Sequence, residues 1–283
     1  MSDSFDLPYF DVFTRKLSDG TAKGPLETML GRNVHWGYWE KPETASVTRQ
    51  DFREASDNLT RKLLQWAQIR SGQKILDVGC GFGGTIGLIN QSYDGLSLTG
   101  LNIDERQLAR ARTEILPETR GGNQIEFVQG DACALPFADA SFDTVLAVEC
   151  IFHFPSRTRF FEHAYRVLKP GGKLVLCDFT VRPWLLPVLG ALFFVNKKYI
   201  QQVYGKSNKL GFHKHYRRLA KRFGFTQLGV EDITRGTLPT YTMIRKFSGL
   251  TGFDARNFVR AHAAQEYGSK LGALRYDILA FQK

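Results

Sequence analysis

KILDVGCGFGGT, residues Lys74–Thr85, is the stretch that decides the fold. Apolar residues lead into Asp77, and glycines crowd the positions just after it. Glycines at that density let backbone approach a ligand closely and turn into a helix. Two cofactor loops fit the spacing. Gly79-x-Gly81-x-x-Gly84 matches a dinucleotide fingerprint, and Asp77-x-Gly79-x-Gly81-x-Gly83 matches a loop for a different ligand.

Outward from this loop the chain alternates between strand and helix patterns. Strands are expected at residues 74–79, 96–102, 125–131, 142–148 and 173–179. Helices are expected near 83–91, 104–115 and 158–168, the last stopped by Pro170-Gly171-Gly172. The strands are apolar on both faces, as in a parallel sheet covered by helices on each side. The fold class is therefore α/β, a Rossmann-like, doubly wound sheet that binds ligands at the carboxyl ends of its strands. Beyond 179 the alternation lapses, with a helix expected at 215–223, helical character across 240–271 and strands at 226–233 and 274–282. Before the loop lie an amphipathic helix over 49–68 and an aromatic segment, HWGYW, at His35–Trp39. Three regions follow: 1–73 as an N-terminal lid and helices, 74–179 as the cofactor-binding core, and 180–283 as a substrate cap plus the last helix and strands of the core.

A pyrophosphate at the loop would face the carboxylate of Asp77, an unfavourable pairing. A cationic ligand would be attracted to it. S-adenosylmethionine carries an ammonium and a sulfonium and no phosphate. Asn102 stands where a dinucleotide site usually has an acidic residue for the ribose. Asp131, after the third strand, can accept from an adenine amino group. The residues favour S-adenosyl-L-methionine over NAD(P).

An ordered set of stretches carries a family likeness: HWGYWE (35–40), ILDVGCGFGG (75–84), TGLNIDERQL (99–108), GDACALPFADASFD (130–143), VECIFHFP (148–155) and RVLKPGGKLVLCDF (166–179). In these the chain resembles the class I S-adenosylmethionine-dependent methyltransferases. Within them it is similar to the small-molecule enzymes of secondary metabolism, such as sugar O-methyltransferases and sterol and tocopherol C-methyltransferases. The resemblance implies a mostly parallel seven-stranded sheet with one antiparallel strand near its end. It implies that Asp77, Gly79 and Gly81 hold the methionine part, that Asn102 and Ile103 sit at the ribose and that Gln107 reaches back to the cofactor. Asp131 and Ala132 would frame the adenine. Tyr38 would close over the cofactor, with packing on the sheet edge as the alternative.

Methyl transfer is an in-line displacement that gains most from alignment. An oxygen nucleophile also has a proton to lose, which suits a histidine. His153 follows the fourth strand in a Glu149-x-x-x-His153-x-Pro155 context and is expected over the cavity mouth, as base or as positioning group. Asp178, ending the fifth strand, is the second catalytic candidate, as base or as orienter of His153, with a loop-ordering role as the alternative. Glu149 reads as a pocket or cofactor-contact residue. O-methylation of a small, hydrophobic and acidic natural product or lipid-like substrate is the leading reading. C- or N-methylation of an isoprenoid or indole-type metabolite, or a cyclisation on the same fold, stays open.

Net charge is split sharply along the chain. Residues 1–179 carry 20 Lys and Arg against 23 Asp and Glu, whereas residues 180–283 carry 18 against 5. The basic part reads either as a solvated face or as a surface that attracts an acidic substrate, an acidic carrier protein or an anionic membrane surface. Lys197, Lys198, Lys206 and Lys209, next to the apolar run at Trp184–Val195, are the cations placed at that substrate. Nucleic acid is disfavoured, because no Pro-Pro-aromatic core of the amino-directed DNA methyltransferases and no RNA-binding module is present. Cys80, Cys133, Cys150 and Cys177 lack paired metal spacing and read as reduced fillers, with no metal expected. No basic-then-apolar leader is evident and the apolar run is short of the ~20 residues that span a bilayer, so a cytoplasmic chain is expected.

Overall fold

The structure, a computed structural model, describes residues 31–185, 211–250 and 255–283, with Gly190 and Lys198 as single positions. Helix α1 (Arg49–Ala67) starts where the Thr48 hydroxyl accepts from the Asp51 amide, and ends at Gln68 in a left-handed conformation. Strand β1 (Lys74–Val78) leads through the glycine loop into α2 (Gly84–Ser92). Then come β2 (Ser97–Asn102), α3 (Glu105–Ile115) capped by Asp104, and β3 (Gln124–Gln129). β4 (Phe142–Val148) is followed by a 3₁₀ turn at Ile151–His153 and by α4 (Arg157–Val167), capped by Ser156. β5 (Leu168–Val181), α5 (His213–Phe223), β6 (Thr226–Asp232), α6 (Thr234–Thr237), α7 (Pro239–Phe247), α8 (Ala255–Lys270) and β7 (Leu274–Gln282) complete the described elements.

The strands form one seven-stranded sheet in the order β3-β2-β1-β4-β5-β7-β6. All neighbours are parallel except β7, which runs antiparallel to both β5 and β6. The sheet therefore crosses the boundary at residue 179, because β6 and β7 come from the basic C-terminal part. Side-chain alternation splits the core between the two faces. Ile75, Leu98, Leu146, Val175 and Ile278 pack with α1, α2 and α3. Leu76, Val145, Leu174, Leu176 and Leu279 pack with α4 and α5.

One local expectation fails. Pro170-Gly171-Gly172 does not stop the preceding helix, which already ends at Val167. The three residues lie inside β5, where Gly171 takes φ +79°. Phe142 of β4 faces Leu168, but Thr144 faces Lys173, so the tripeptide is a bulge that absorbs the extra residues of β5.

The apolar run Trp184–Val195 lies mostly outside the described residues, as do Lys197, Lys206 and Lys209. Its entry and exit are held together: the Val181 amide donates to Gly211, and the Gly211 amide donates to Phe179. No described helix is long and apolar enough to cross a membrane.

Candidate active site

Chain order places β2 and β3 on one side of β1 and β4 on the other, so β1 and β4 flank the switch point of the sheet. A cavity opens there, at the carboxyl ends of the strands. Its wall includes Asp77, Gly79, Gly81, Asn102, Ile103, Gln107, Asp131, Ala132, Glu149 and His153. Tyr38 and Asp178 are not part of it.

The floor is the glycine loop. Gly79, Gly81 and Gly83 take φ of +72°, +55° and +80°, a region that side chains disfavour. The amides of Gly79 and Cys80 donate to the Leu101 carbonyl at 2.7 and 3.0 Å, which ties the loop to the end of β2. A Cβ on Gly79 would come within 2.7 Å of Cys150, so the close approach of the post-β4 segment requires glycine there.

Asp77 is 1% exposed, and neither carboxylate oxygen has a hydrogen-bond partner. Burial alone pushes its pKa up from an ordinary value of 3.8 to about 8. A buried carboxylate without donors is costly and is retained where a ligand completes it. Two bare acceptor oxygens above a glycine cradle suit an ammonium group. The residues thus fit S-adenosylmethionine, whose amino-acid end would be held by Asp77 and the loop.

Further along the wall, the Asn102 amide is engaged on both sides. Its oxygen accepts from the Ile103 amide at 2.9 Å, and its nitrogen donates to Gln107 at 3.0 Å. Asp131 accepts from the Cys133 amide at 2.8 Å, a bond that orders the turn beyond β3. Glu149 holds a positive φ of +52°, rare for a residue with a side chain. Its carboxylate is pinned by the Trp36 amide at 2.7 Å and the Tyr276 hydroxyl at 2.8 Å, which hold that backbone in place. Burial raises its pKa to about 8, against both of these donors. His153 stands against the ring of Phe152, with centroids 4.3 Å apart, and burial lowers its basicity to about 3. It is neutral across the physiological range.

Two assignments need correction. Of the HWGYW segment only His35 lines the cavity; the roof is formed with the three residues before it, Arg32, Asn33 and Val34. Tyr38 instead packs on Gly236, where an added Cβ would lie 2.3 Å from its ring, and its amide donates to Ala55 of α1. Asp178 is fully buried and turned to the α4/α5 face. It accepts from Arg157 at 3.1 Å, from the Tyr216 hydroxyl and from the Phe179 amide at 2.8 Å. It braces α4 and α5 against β5, away from the cavity, and its oxygens are taken up by these donors rather than presented to a substrate. The roof residues were missed because only their closeness to the aromatic segment pointed to them.

Five cations of α5, Lys214, Arg217, Arg218, Lys221 and Arg222, are exposed along one face. His213, at the start of that helix, turns inward to Asp277 at 2.7 Å. The four cysteines are free and buried.

Comparison with known proteins agrees with this geometry. A family model described as a methyltransferase domain matches residues 76–176. Methyltransferase GfsG of Streptomyces halstedii is 33% identical over 233 residues, 82% of this chain and 80% of that protein. The 27-O-demethylrifamycin SV methyltransferase of Amycolatopsis mediterranei is 30% identical over 226 residues, 80% of this chain and 78% of its own. Among solved structures, the [4+2]-cyclase SpnF superposes with a TM-score of 0.70 at 22% identity, covering 92% of this chain and 91% of that one. With the glycine cradle, the bare Asp77 carboxylate and the extent of these matches together, the chain belongs to the class I S-adenosylmethionine-dependent methyltransferases.

Proposed function

We propose that the protein methylates a hydroxyl group on a lipophilic natural product and that His153 takes the hydroxyl proton. The observation that carries this reading is the place of His153: in the cavity wall, in the 3₁₀ turn that follows β4. The relative that acts on 27-O-demethylrifamycin SV is named for O-methylation of a large natural product, which agrees with it.

S-adenosylmethionine, when bound, supplies an electrophilic methyl group. The chain aligns the acceptor oxygen with it and excludes water. A histidine with basicity near 3 cannot strip a resting alcohol. It can accept the proton late, once the oxygen has committed its lone pair to the methyl carbon and become far more acidic than an imidazolium. Because burial keeps His153 neutral, its imidazole acts as an acceptor rather than a cation at ordinary pH values.

The test uses methyl-labelled S-adenosylmethionine, candidate macrolide and quinol acceptors, and the His153→Ala variant. Turnover is expected to fall about 100- to 10,000-fold, with S-adenosylhomocysteine affinity held within about twofold. An O-methyl product supports the reading. A label on carbon or nitrogen redirects it to that acceptor atom, and an unlabelled rearranged product redirects it to cyclisation. Unchanged turnover in the variant removes His153 from the chemistry.

A further inference from the structure

The roof of the cavity carries an acceptor that matches Asp77. Asn33 is 4% exposed and lines the cavity. Its amide nitrogen donates to Asp57 on α1 at 2.7 Å. That bond fixes which way the amide faces, because the reverse orientation would set two oxygens 2.7 Å apart. The Asn33 oxygen is therefore turned away from α1, and it has no hydrogen-bond donor. It stands directly over the start of α2, where a Cβ on Gly84 would lie 1.9 Å from it.

Among the described residues of the cavity wall, the buried side-chain oxygens without a donor belong to Asp77 and Asn33. One approaches from the floor and the other from the roof, at the glycine-loop end of the cavity. The Asn33 oxygen can only accept, and so can Asp77 once it is ionised. A group with several N–H bonds and positive charge satisfies both, and the amino-acid end of the cofactor carries one.

We propose that Asn33 is a second acceptor for the ammonium group of S-adenosylmethionine, and that Asp57 is the positioning residue that aims it. The inference rests on the assignment of Asp77 to the same ammonium. Asp57 lies outside the cavity wall and acts only through the Asn33 amide. The roof segment then belongs to the binding site itself. Gly84 is glycine because the roof crosses it, with the Arg32 carbonyl also within 2.6 Å of its missing Cβ.

The experiment titrates two ligands calorimetrically into the wild type and into Asn33→Leu, Asp57→Ala and Asp77→Asn. S-adenosylhomocysteine carries the amino-acid end, whereas 5′-methylthioadenosine shares the nucleoside and sulfur but lacks it. Asn33→Leu is expected to weaken S-adenosylhomocysteine about tenfold or more while methylthioadenosine stays within about twofold. Asp57→Ala should show the same selectivity with a loss of about threefold to tenfold. Equal losses for both ligands would mean the roof is merely structural and would overturn the proposal. So would an unchanged affinity for S-adenosylhomocysteine in Asn33→Leu. If Asp77→Asn loses affinity and Asn33→Leu does not, only this inference falls; if neither does, the assignment of the loop falls with it.

Discussion

Asp77 and Asp178 are both buried aspartates near strand ends of one sheet, with 1% and 0% of their surface exposed. Burial pushes both carboxyls up from their ordinary range. At Asp178 the Arg157 guanidinium and the Tyr216 hydroxyl oppose that push, and every oxygen has a donor. At Asp77 nothing opposes it, and no oxygen has one. The difference separates structure from function: a carboxylate that the fold completes is a brace, and one it leaves incomplete is a receptor.

The largest expected effect comes from breaking the brace. Asp178→Ala leaves Arg157 and Tyr216 buried without their partner and should cost about 3–5 kcal/mol in denaturant unfolding. S-adenosylhomocysteine affinity of the folded fraction should stay within about twofold, since Asp178 is outside the cavity wall. A selective loss of affinity with stability intact would return Asp178 to the site. Next is Gly84→Ala, which drives a methyl group into Asn33 and the Arg32 carbonyl. The roof must lift, costing about 1–3 kcal/mol and weakening cofactor binding in the same variant. Retained affinity at full stability would show that the roof is loose.

A smaller, graded effect is pH dependence. The Asp77 carboxyl titrates at about 8 in the folded protein, against an ordinary value of 3.8, and Glu149 at about 8 against 4.5. Between those limits the folded state holds more protons than the unfolded chain. Their contribution to stability is therefore present below the ordinary values and is lost as pH rises toward 8, by at most about 1.4 kcal/mol per unit for each group. Thermal unfolding of the cofactor-free protein should show this decline. Cofactor binding needs Asp77 ionised, so affinity should climb with pH up to about 8 and binding at pH 7 should release a proton. Calorimetry in buffers of different ionisation enthalpy reads that proton directly, and its absence would mean Asp77 is already charged.

Much of the sheet was legible because buried parallel strands read as apolar runs. The expected bounds of β4 and β7 match the structure residue for residue. Pro170-Gly171-Gly172 misled because local chemistry cannot tell a helix stop from a strand bulge; the pairing of β4 with β5 decides it. Among site residues, those on the loop and on strand ends are placed by alternation, so Asp77, Asn102 and Asp131 could be read locally. Asp178 follows the same alternation to the wrong face, and its partners lie 21 and 38 residues away in sequence. The roof was harder still. Its path is set by Asp57, by Glu149 at a separation of 113 residues and by Thr240 at 203. No short motif encodes contacts of that range, so Tyr38 was chosen where Asn33 reaches the cavity.

The central claim is that Asp77 is an acceptor kept bare for the cofactor at the expense of the free protein's stability. Asp77→Asn tests it in one variant with two readings. Above pH 8, where the carboxyl is ionised, removing this uncompensated buried charge should raise the melting temperature of the free protein by a few degrees, about 1–3 kcal/mol. The same change should weaken S-adenosylhomocysteine about 100-fold or more, because the charge partner of the ammonium is gone. A variant that melts earlier and binds as tightly as the wild type would contradict the account.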